Sequence, residues 1–150
     1  MKQRSFILCT LFLCINFSLF SQASNYWQEV REKEIPQNGI RQIIPERFNT
    51  YHLDLVQIKE ILDEAPLRFS KAAEGSNIIL ELPMPGGQLK RYNILYAPVF
   101  APELAAKYPE IRSFSGYGID DPHAYIRFDL GPKGFHGMIL SPNHSTVFID

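Results

Sequence analysis

The densest group of residues that could do chemistry lies in the stretch SGYGIDDPHAYIRFDL, residues 115–130. Asp120, Asp121 and His123 supply two carboxylates and an imidazole, which are ligand types for calcium or zinc. The same three groups would suit a small hydrolase that uses acid and base chemistry. A calcium loop alternates several oxygen ligands, whereas here only two carboxylates are adjacent. Adjacent side chains in extended backbone point to opposite faces, so only a special turn would bring both to one ion.

The same stretch also has a purely structural interpretation, which we favour. Two glycines permit backbone bends, an aspartate can accept a bond from its own backbone in an Asx-turn, and a proline fixes the entry into the next strand. The residues of this structural turn are Gly116, Gly118, Asp120, Asp121 and Pro122. Acid–base work by paired carboxylates would require Asp120, Asp121 or Asp129 to share a pocket, and no pattern in the sequence indicates one. We therefore predict no catalytic residue, cofactor-binding residue or metal ligand in this chain.

Other catalytic motifs are missing from the sequence. The four histidines are His52, His123, His136 and His144, and no two of them have the four-residue spacing of a zinc-protease helix. The sequence contains neither the G-x-S-x-G pattern of a serine nucleophile nor a phosphate-binding glycine loop. Asn143 begins the glycosylation pattern NHS, but Pro142-Asn143 between two strands is typical of a hairpin turn.

The elements that must position these residues are mainly strands. Asp54 is a predicted N-cap for a short helix at about residues 55–64, and Pro66 ends it. A second short helix is predicted at about residues 102–108, with Pro102 in its first turn. Alternating segments separated by turn signals indicate strands at about 49–55, 77–84, 88–97, 110–116, 124–130, 135–141 and 146–150. The predicted fold is mainly β, an antiparallel β-sandwich or barrel-like meander with one or two short helices.

The N-terminus has the pattern of a secretory signal peptide over residues 1–23. The basic start MKQR precedes the apolar run FILCTLFLCINFSLF, and small residues follow where a signal peptidase cleaves. The protein is therefore expected to be secreted, periplasmic or at the cell surface, with no membrane association after cleavage. Both cysteines, Cys9 and Cys14, lie inside this segment, so the exported part can hold no disulfide, cysteine zinc site or thiol nucleophile.

The remaining chain divides into a charged leader at residues 24–47 and a β-rich domain at residues 48–150. The leader is broken by prolines and a glycine, and we predict that it is solvated with some apolar residues docked on the domain. The closing segment TVFID ends without a turn or polar tail, which indicates that the domain is truncated at its C-terminal end. Charges nearly cancel, with 15 Lys and Arg against 16 Asp and Glu, so no basic surface is expected for nucleic acid.

Several stretches together resemble the N-terminal pro-region of secreted, reprolysin-like bacterial zinc metalloproteases. They are YHLDLVQIKEILDEAPLRFS, ILELPMPGG, TVFID and, most specifically, APELAAKYPEIRSFSGYGIDDPHAYIRFDL. The resemblance covers about residues 48–150. It implies a non-catalytic module for folding and latency whose partner is the metzincin catalytic domain of the same precursor. Zinc would belong to that absent domain, and no catalytic residue of the family maps onto this chain.

The resemblance leaves the latency mechanism open. Because the exported part has no cysteine, a thiolate cannot mask the zinc from within this chain. Asp120 or Asp121 could place a carboxylate on the zinc, whereas the alternatives that we favour are steric cover of the catalytic cleft or a zinc ligand in the missing segment. A different function is an extracellular β-sandwich module that binds glycan or protein through exposed aromatic residues, namely Tyr92, Tyr96, Tyr117 and Tyr125.

Overall fold

The described part of the chain contains eight strands and two α-helices, besides two 3-10 turns. The computed structural model describes residues 26–36, 45 and 47–150. In chain order, the strands and helices are β1 (Trp27–Glu29), β2 (Tyr51–Leu53), α1 (Leu55–Asp63), β3 (Ile79–Pro83), β4 (Leu89–Tyr96), α2 (Pro102–Lys107), β5 (Arg112–Gly118), β6 (Tyr125–Gly131), β7 (Gly134–Ser141) and β8 (His144–Ile149). The two 3-10 turns are Glu32–Glu34 and Lys71–Gly75.

Six of the strands form one antiparallel meander in sequence order, from β3 to β8. This sheet curls into a half-barrel, and β1 with β2 makes a separate two-stranded antiparallel sheet. The prediction of a mainly β, antiparallel, barrel-like fold with two short helices is therefore confirmed. Short turns join β3 to β4, β6 to β7 and β7 to β8, whereas α2 lies in the longer connection between β4 and β5.

The core lies on one face of the six-stranded sheet. Along β6, Ile126, Phe128 and Leu130 are buried, while the residues between them are half-buried on the other face. Phe128 stacks between two rings on that face, with centroid distances of 5.1 Å to Phe114 and 4.8 Å to Phe135. The period-two pattern of the sequence thus becomes an apolar layer whose burial stabilises the sheet.

Helix α1 covers part of this core. The carboxylate of Asp54 accepts hydrogen bonds from the backbone N–H groups of Val56 (3.0 Å) and Gln57 (3.1 Å), which is N-cap geometry. Ile58 and Leu62, one turn apart, are completely buried in the core cluster. The predicted cap and the apolar face of the helix are therefore both present.

The beginning of the described chain belongs to the fold more closely than the sequence indicates. The predicted leader contains no predicted strand, yet β1 pairs with β2, and Tyr26 is only 4 % exposed. Trp27 packs edge-on against Phe135, with ring centroids 5.6 Å apart. The charged residues at positions 29 and 31–34 hide this pattern, because among the described residues of the segment only Tyr26 and Trp27 contribute to the core.

Some predictions fall on residues outside the described ranges. The predicted signal peptide at residues 1–23, with Cys9 and Cys14, lies there, as do residues 37–44 of the leader. Within residues 26–36, 45 and 47–150, no helix has the length and apolarity that a membrane crossing requires.

Candidate functional site

The loop between β5 and β6 folds tightly back on the end of β5. The N–H of Gly118 donates to the carbonyl of Ala124 at 2.9 Å, and the N–H of Ala124 donates to the carbonyl of Asp121 at 2.9 Å. A Cβ atom at Gly118 would lie 2.2 Å from the carbonyl oxygen of Asp121. Glycine is therefore required at position 118 by the close approach of the loop backbone.

Asp120 turns from this loop toward β4. Its carboxylate accepts a bond from the backbone N–H of Arg91 at 2.8 Å and forms a two-pronged ion pair with the guanidinium, at 2.5 Å from Nη2 and 3.1 Å from Nε. The side-chain hydrogen bond from Arg91 is the main cause that lowers the pKa of Asp120. Both side chains are substantially exposed, at 51 % for Arg91 and 31 % for Asp120. Asp120 is thus an ionised surface partner of Arg91.

Asp121 turns the other way, into the turn that joins β7 and β8. Its carboxylate accepts hydrogen bonds from Ser141 Oγ (2.7 Å), Asn143 Nδ2 (2.9 Å) and the backbone N–H of His123 (3.2 Å). The last of these bonds, to the residue two positions on, is an Asx-turn. Ser141 Oγ in turn accepts from the N–H of Asn143 at 3.0 Å. Asp121 is 7 % exposed, so this carboxylate is a buried junction between two turns.

The hydrogen bonds keep the Asp121 carboxylate ionised despite its burial. The bond from Ser141 is the largest cause of its lowered pKa, burial opposes it, and the His123 N–H and the Asn143 amide add to the lowering. The pKa of the Tyr92 phenol is shifted in the opposite direction, to about 12. Burial is the main cause, and the charges of Asp121 and Asp120 raise this pKa further. Tyr92 therefore remains protonated at neutral pH, and its hydroxyl lies 3.9 Å from Met84 Sδ.

The three candidate groups of the loop do not converge. Asp120 faces β4, Asp121 faces the β7–β8 turn, and His123 is exposed. In the described part of the chain no cluster of three or more His, Cys, Asp or Glu residues is placed to hold a metal ion. Asp129 lies within β6, opposite His136 of β7, and is therefore outside the β5–β6 loop. The carboxylates of Asp120 and Asp121 are both already bonded within the fold.

The remaining residues of the predicted turn have separate places. Pro122 lies in the loop beside His123 and is exposed. Gly116, which the sequence groups with the turn, lies inside β5 on the core face. A Cβ there would lie 2.6 Å from Ile94 Cδ1 and 2.7 Å from the carbonyl of Asn93. Close packing of β4 and β5, not a bend, is the reason for glycine at position 116.

The sequence alone misses the partners of both carboxylates. Arg91 lies 29 residues before Asp120, while Ser141 and Asn143 lie 20 and 22 residues after Asp121. Asn143 was predicted to be a turn residue, and its side-chain amide is occupied by Asp121. The one signal in the sequence is indirect: a meander places turns of alternate hairpins at the same end of the sheet, so the β5–β6 and β7–β8 turns must be neighbours.

The face of the sheet opposite the core carries a row of mostly apolar residues, several of them exposed. Its members occupy one register line across five strands: Ile79, Asn93, Tyr117, Tyr125 and Leu140. Ile79, Tyr117 and Leu140 are 43 %, 59 % and 42 % exposed. The rings of Tyr117 and Tyr125 lie 5.2 Å apart at 56°. We call this side of the sheet the open face.

The four tyrosines of the alternative binding hypothesis are divided between the two faces. Tyr92 is 1 % exposed and belongs to the core, and Tyr96 packs against that core. Tyr117 and Tyr125 are paired on the open face. They therefore form a pair of candidate contact residues and not a cluster of four.

A shallow concavity of about 320 Å³ lies next to this row on the open face. The residues around it include Val99, Ser113, Arg127, Asp129, His136 and Met138. His136 Nδ1 lies 3.6 Å from Asp150 Oδ1. Arg127 and Asp129 lie opposite Met138 and His136 in register and form no salt bridge with other described residues.

Comparison with known proteins adds no family assignment. No family model, curated protein or solved structure matches this chain.

Proposed function

We propose that this chain is the non-catalytic pro-region of an exported, reprolysin-like zinc metalloprotease precursor. It would serve as a folding and latency module for a metzincin catalytic domain that is not part of these 150 residues. The observation that carries the proposal is the contrast between the two faces of the six-stranded sheet. One face is packed against α1 and β1, while the open face leaves aromatic and aliphatic side chains exposed.

The state of the carboxylates favours latency by steric cover. For Asp121 to bind a partner's zinc, it would have to give up hydrogen bonds from Ser141, Asn143 and the His123 backbone. That exchange would break three partly buried hydrogen bonds of a buried carboxylate, which is costly. Asp120 would have to leave its ion pair with Arg91. The open face needs no such rearrangement to contact a neighbouring domain.

The open face has the composition of a protein contact surface. Tyr117 and Tyr125 supply large amphipathic rings, which are enriched where protein surfaces meet. Phe148, on the same side of the sheet, is 67 % exposed, and Leu140 is 42 % exposed. Exposed apolar side chains in adjacent strands are typical of an interaction surface when they are contiguous.

The proposal is tested by adding this chain to the catalytic domain encoded by the same reading frame. We expect the added chain to raise the refolding yield of that domain and to inhibit its peptidase activity. Tyr117→Glu places a charge in the open face and should weaken inhibition at least ~10-fold, since buried interface aromatics carry much of the binding energy. Val56→Glu is the matched control, because Val56 is an exposed apolar residue of α1, 67 % exposed.

The outcomes separate the two latency mechanisms. Steric cover predicts that Asp120→Asn and Asp121→Asn inhibit like the unmodified chain whenever they remain folded. Loss of inhibition by a folded Asp120→Asn or Asp121→Asn chain would instead favour a carboxylate on the zinc. A reading frame with no zinc-binding H-E-x-x-H motif downstream, or a chain that neither assists nor inhibits the domain, would refute the pro-region proposal.

A second candidate is the extracellular binding module for glycan or protein. The observation in its favour is the Tyr117–Tyr125 pair, since tilted exposed rings offer faces on which a sugar can stack. Calorimetric titration with soluble oligosaccharides tests this function. Binding that Tyr117→Ala abolishes and Val56→Ala leaves intact would support it over the pro-region.

A further inference from the structure

The two edges of the six-stranded sheet are treated differently by the fold. At the β3 edge, the Tyr26 hydroxyl accepts from the N–H of Glu81 at 2.7 Å, and the Trp27 indole N–H donates to the carbonyl of Glu81 at 2.9 Å. Side chains thus occupy both backbone groups of one edge residue. Pro83, at the end of β3, has no N–H to offer a further strand.

The β8 edge is less protected, with one side-chain contact from its own strand: His144 Nδ1 lies 2.8 Å from the carbonyl oxygen of Ser145. In the described ranges no strand lies beyond β8, and no other backbone segment outside the sheet bonds to it. Its sequence, HSTVFI, contains no Asp, Glu, Lys or Arg, no proline and no glycine. Uncharged edge strands rich in β-branched and aromatic residues pair readily with another strand.

The side chains of β8 are suited to such pairing on both faces. Val147 is 8 % exposed on the core face, and Ile149 packs against the same core. On the open face, Phe148 is 67 % exposed and lies opposite Met138 of β7. A strand added at this edge would extend the core and cover Phe148.

We propose that β8 pairs with the β8 strand of a second copy of this chain, antiparallel about a two-fold axis at Val147. This register places Val147 opposite its own copy, Thr146 opposite Phe148, and Ser145 opposite Ile149. Each residue then faces one from the same side of the sheet, so both core faces stay on one side. Asp150 falls opposite His144, so no like charges meet.

A second copy is the partner that this strand specifies best. Because β8 contains no Asp, Glu, Lys or Arg, two copies of this strand do not repel each other. In the twofold arrangement, apolar residues from both copies lie on each face of the sheet. A contact of one six-residue strand is smaller than the ~1,200–2,000 Å² of a stable interface, so the dimer is weak and reversible. We expect a dissociation constant of about 10–100 µM.

Sedimentation equilibrium of the full chain tests the proposal. The mean mass should rise from that of one chain toward two across about 1–300 µM, as expected for a dissociation constant in that range. Thr146→Lys adds a charge to an exposed position of β8 and should shift this rise at least ~10-fold higher in concentration. Ile79→Lys puts the same charge on the exposed side of the β3 edge and should leave the dimer unchanged.

The register is tested with a single cysteine in a chain that carries Cys9→Ser and Cys14→Ser. Val147→Cys should form a disulfide-linked dimer under mild oxidation, whereas Phe148→Cys, opposite Thr146 in this register, should form much less. A chain that stays monomeric throughout, a dimer that Ile79→Lys disrupts and Thr146→Lys does not, or efficient crosslinking at position 148 alone would overturn the proposal. Binding of β8 to the metalloprotease domain without self-association would overturn it as well.

Discussion

Two adjacent aspartates, Asp120 and Asp121, fasten the β5–β6 loop to different parts of the fold. One lies at the surface and the other is buried. On the side of β4, Asp120 forms an exposed ion pair with Arg91. On the side of the β7–β8 turn, Asp121 is buried and accepts three hydrogen bonds. Both groups have a lowered pKa, but for Asp120 the main cause is a cation and for Asp121 it is a neutral hydroxyl.

The difference shows that charge alone does not identify a reactive carboxylate. An exposed ion pair contributes little to stability, because water and salt screen it. A buried carboxylate with three donors holds the loop and a distant turn together, and its loss would leave those donors unsatisfied. We therefore expect the two sides of the loop to respond unequally to substitution.

The largest effect is expected where the loop backbone touches β5, since this contact supports both sides of the loop. In Gly118→Ala the new Cβ would meet the carbonyl of Asp121 at 2.2 Å, so the loop must move. We expect a loss of about 2–3 kcal/mol in the free energy of unfolding, measured by urea denaturation. Gly86→Ala is the control, because a Cβ at Gly86 has no neighbour within 4 Å. Equal losses in the two variants would show that the tight contact has no energetic role.

The next effect separates the two aspartates directly. Asp121→Ala removes the acceptor of Ser141 and Asn143 and should lower the melting temperature by roughly 5 °C or more. Asp120→Ala removes only the exposed contact and should lower it by about 1–2 °C. Thermal unfolding followed by circular dichroism gives both values. The comparison fails if Asp120→Ala is the more damaging change.

Acid should reveal the same contrast through the ionisation of Asp121. Because its pKa is lowered in the folded chain, the carboxylate contributes stability that is fully present above its ordinary pKa of about 3.9. This contribution is lost as the pH falls through the lower pKa of the folded state. Asp121→Asn should therefore be most destabilised near pH 7 and should approach the unmodified chain in acid. Urea denaturation between pH 7 and pH 2 measures the gap, which should narrow and not widen.

The smallest effect concerns salt at the exposed side. Sodium chloride at about 1 M shortens the screening length to about 3 Å and should remove what the Arg91–Asp120 pair contributes. Arg91→Gln should lower the melting temperature by about 1–2 °C at low salt and by nothing measurable at high salt. The gap between Asp121→Ala and the unmodified chain should persist in salt, because Asp121 is buried and its hydrogen-bond donors are uncharged. If salt reduced the difference in melting temperature between Asp121→Ala and the unmodified chain, the distinction between the two aspartates would be contradicted.

The sequence predicts the local order well and the long-range partners poorly. Alternation along β6 and the Asp54 cap of α1 are local patterns, and both elements form where those patterns lie. Ile126, Phe128 and Leu130 share the core face because successive strand residues point to opposite sides.

What the sequence leaves open depends on contacts between distant residues. Glycine is needed at position 116 of β5 because Ile94 of the neighbouring strand β4 leaves no room for a side chain. The hydroxyl of the buried Tyr26 accepts a hydrogen bond from the backbone of Glu81 in β3. Neither relation has a period or motif that a single sequence displays. The two roles of Asp120 and Asp121 likewise depend on which turn lies beside each carboxylate.

The central claim is that Asp120 and Asp121 fasten the β5–β6 loop to β4 and to the β7–β8 turn. Its most direct test is thermal unfolding of the full chain with EDTA, with Zn²⁺ and with Ca²⁺, for the unmodified protein and for Asp121→Asn. Ligands that bind the folded state raise the melting temperature. We predict the same melting temperature in all three solutions and a lower, equally metal-independent one for Asp121→Asn. A rise with either metal that Asp121→Asn abolishes would contradict the claim.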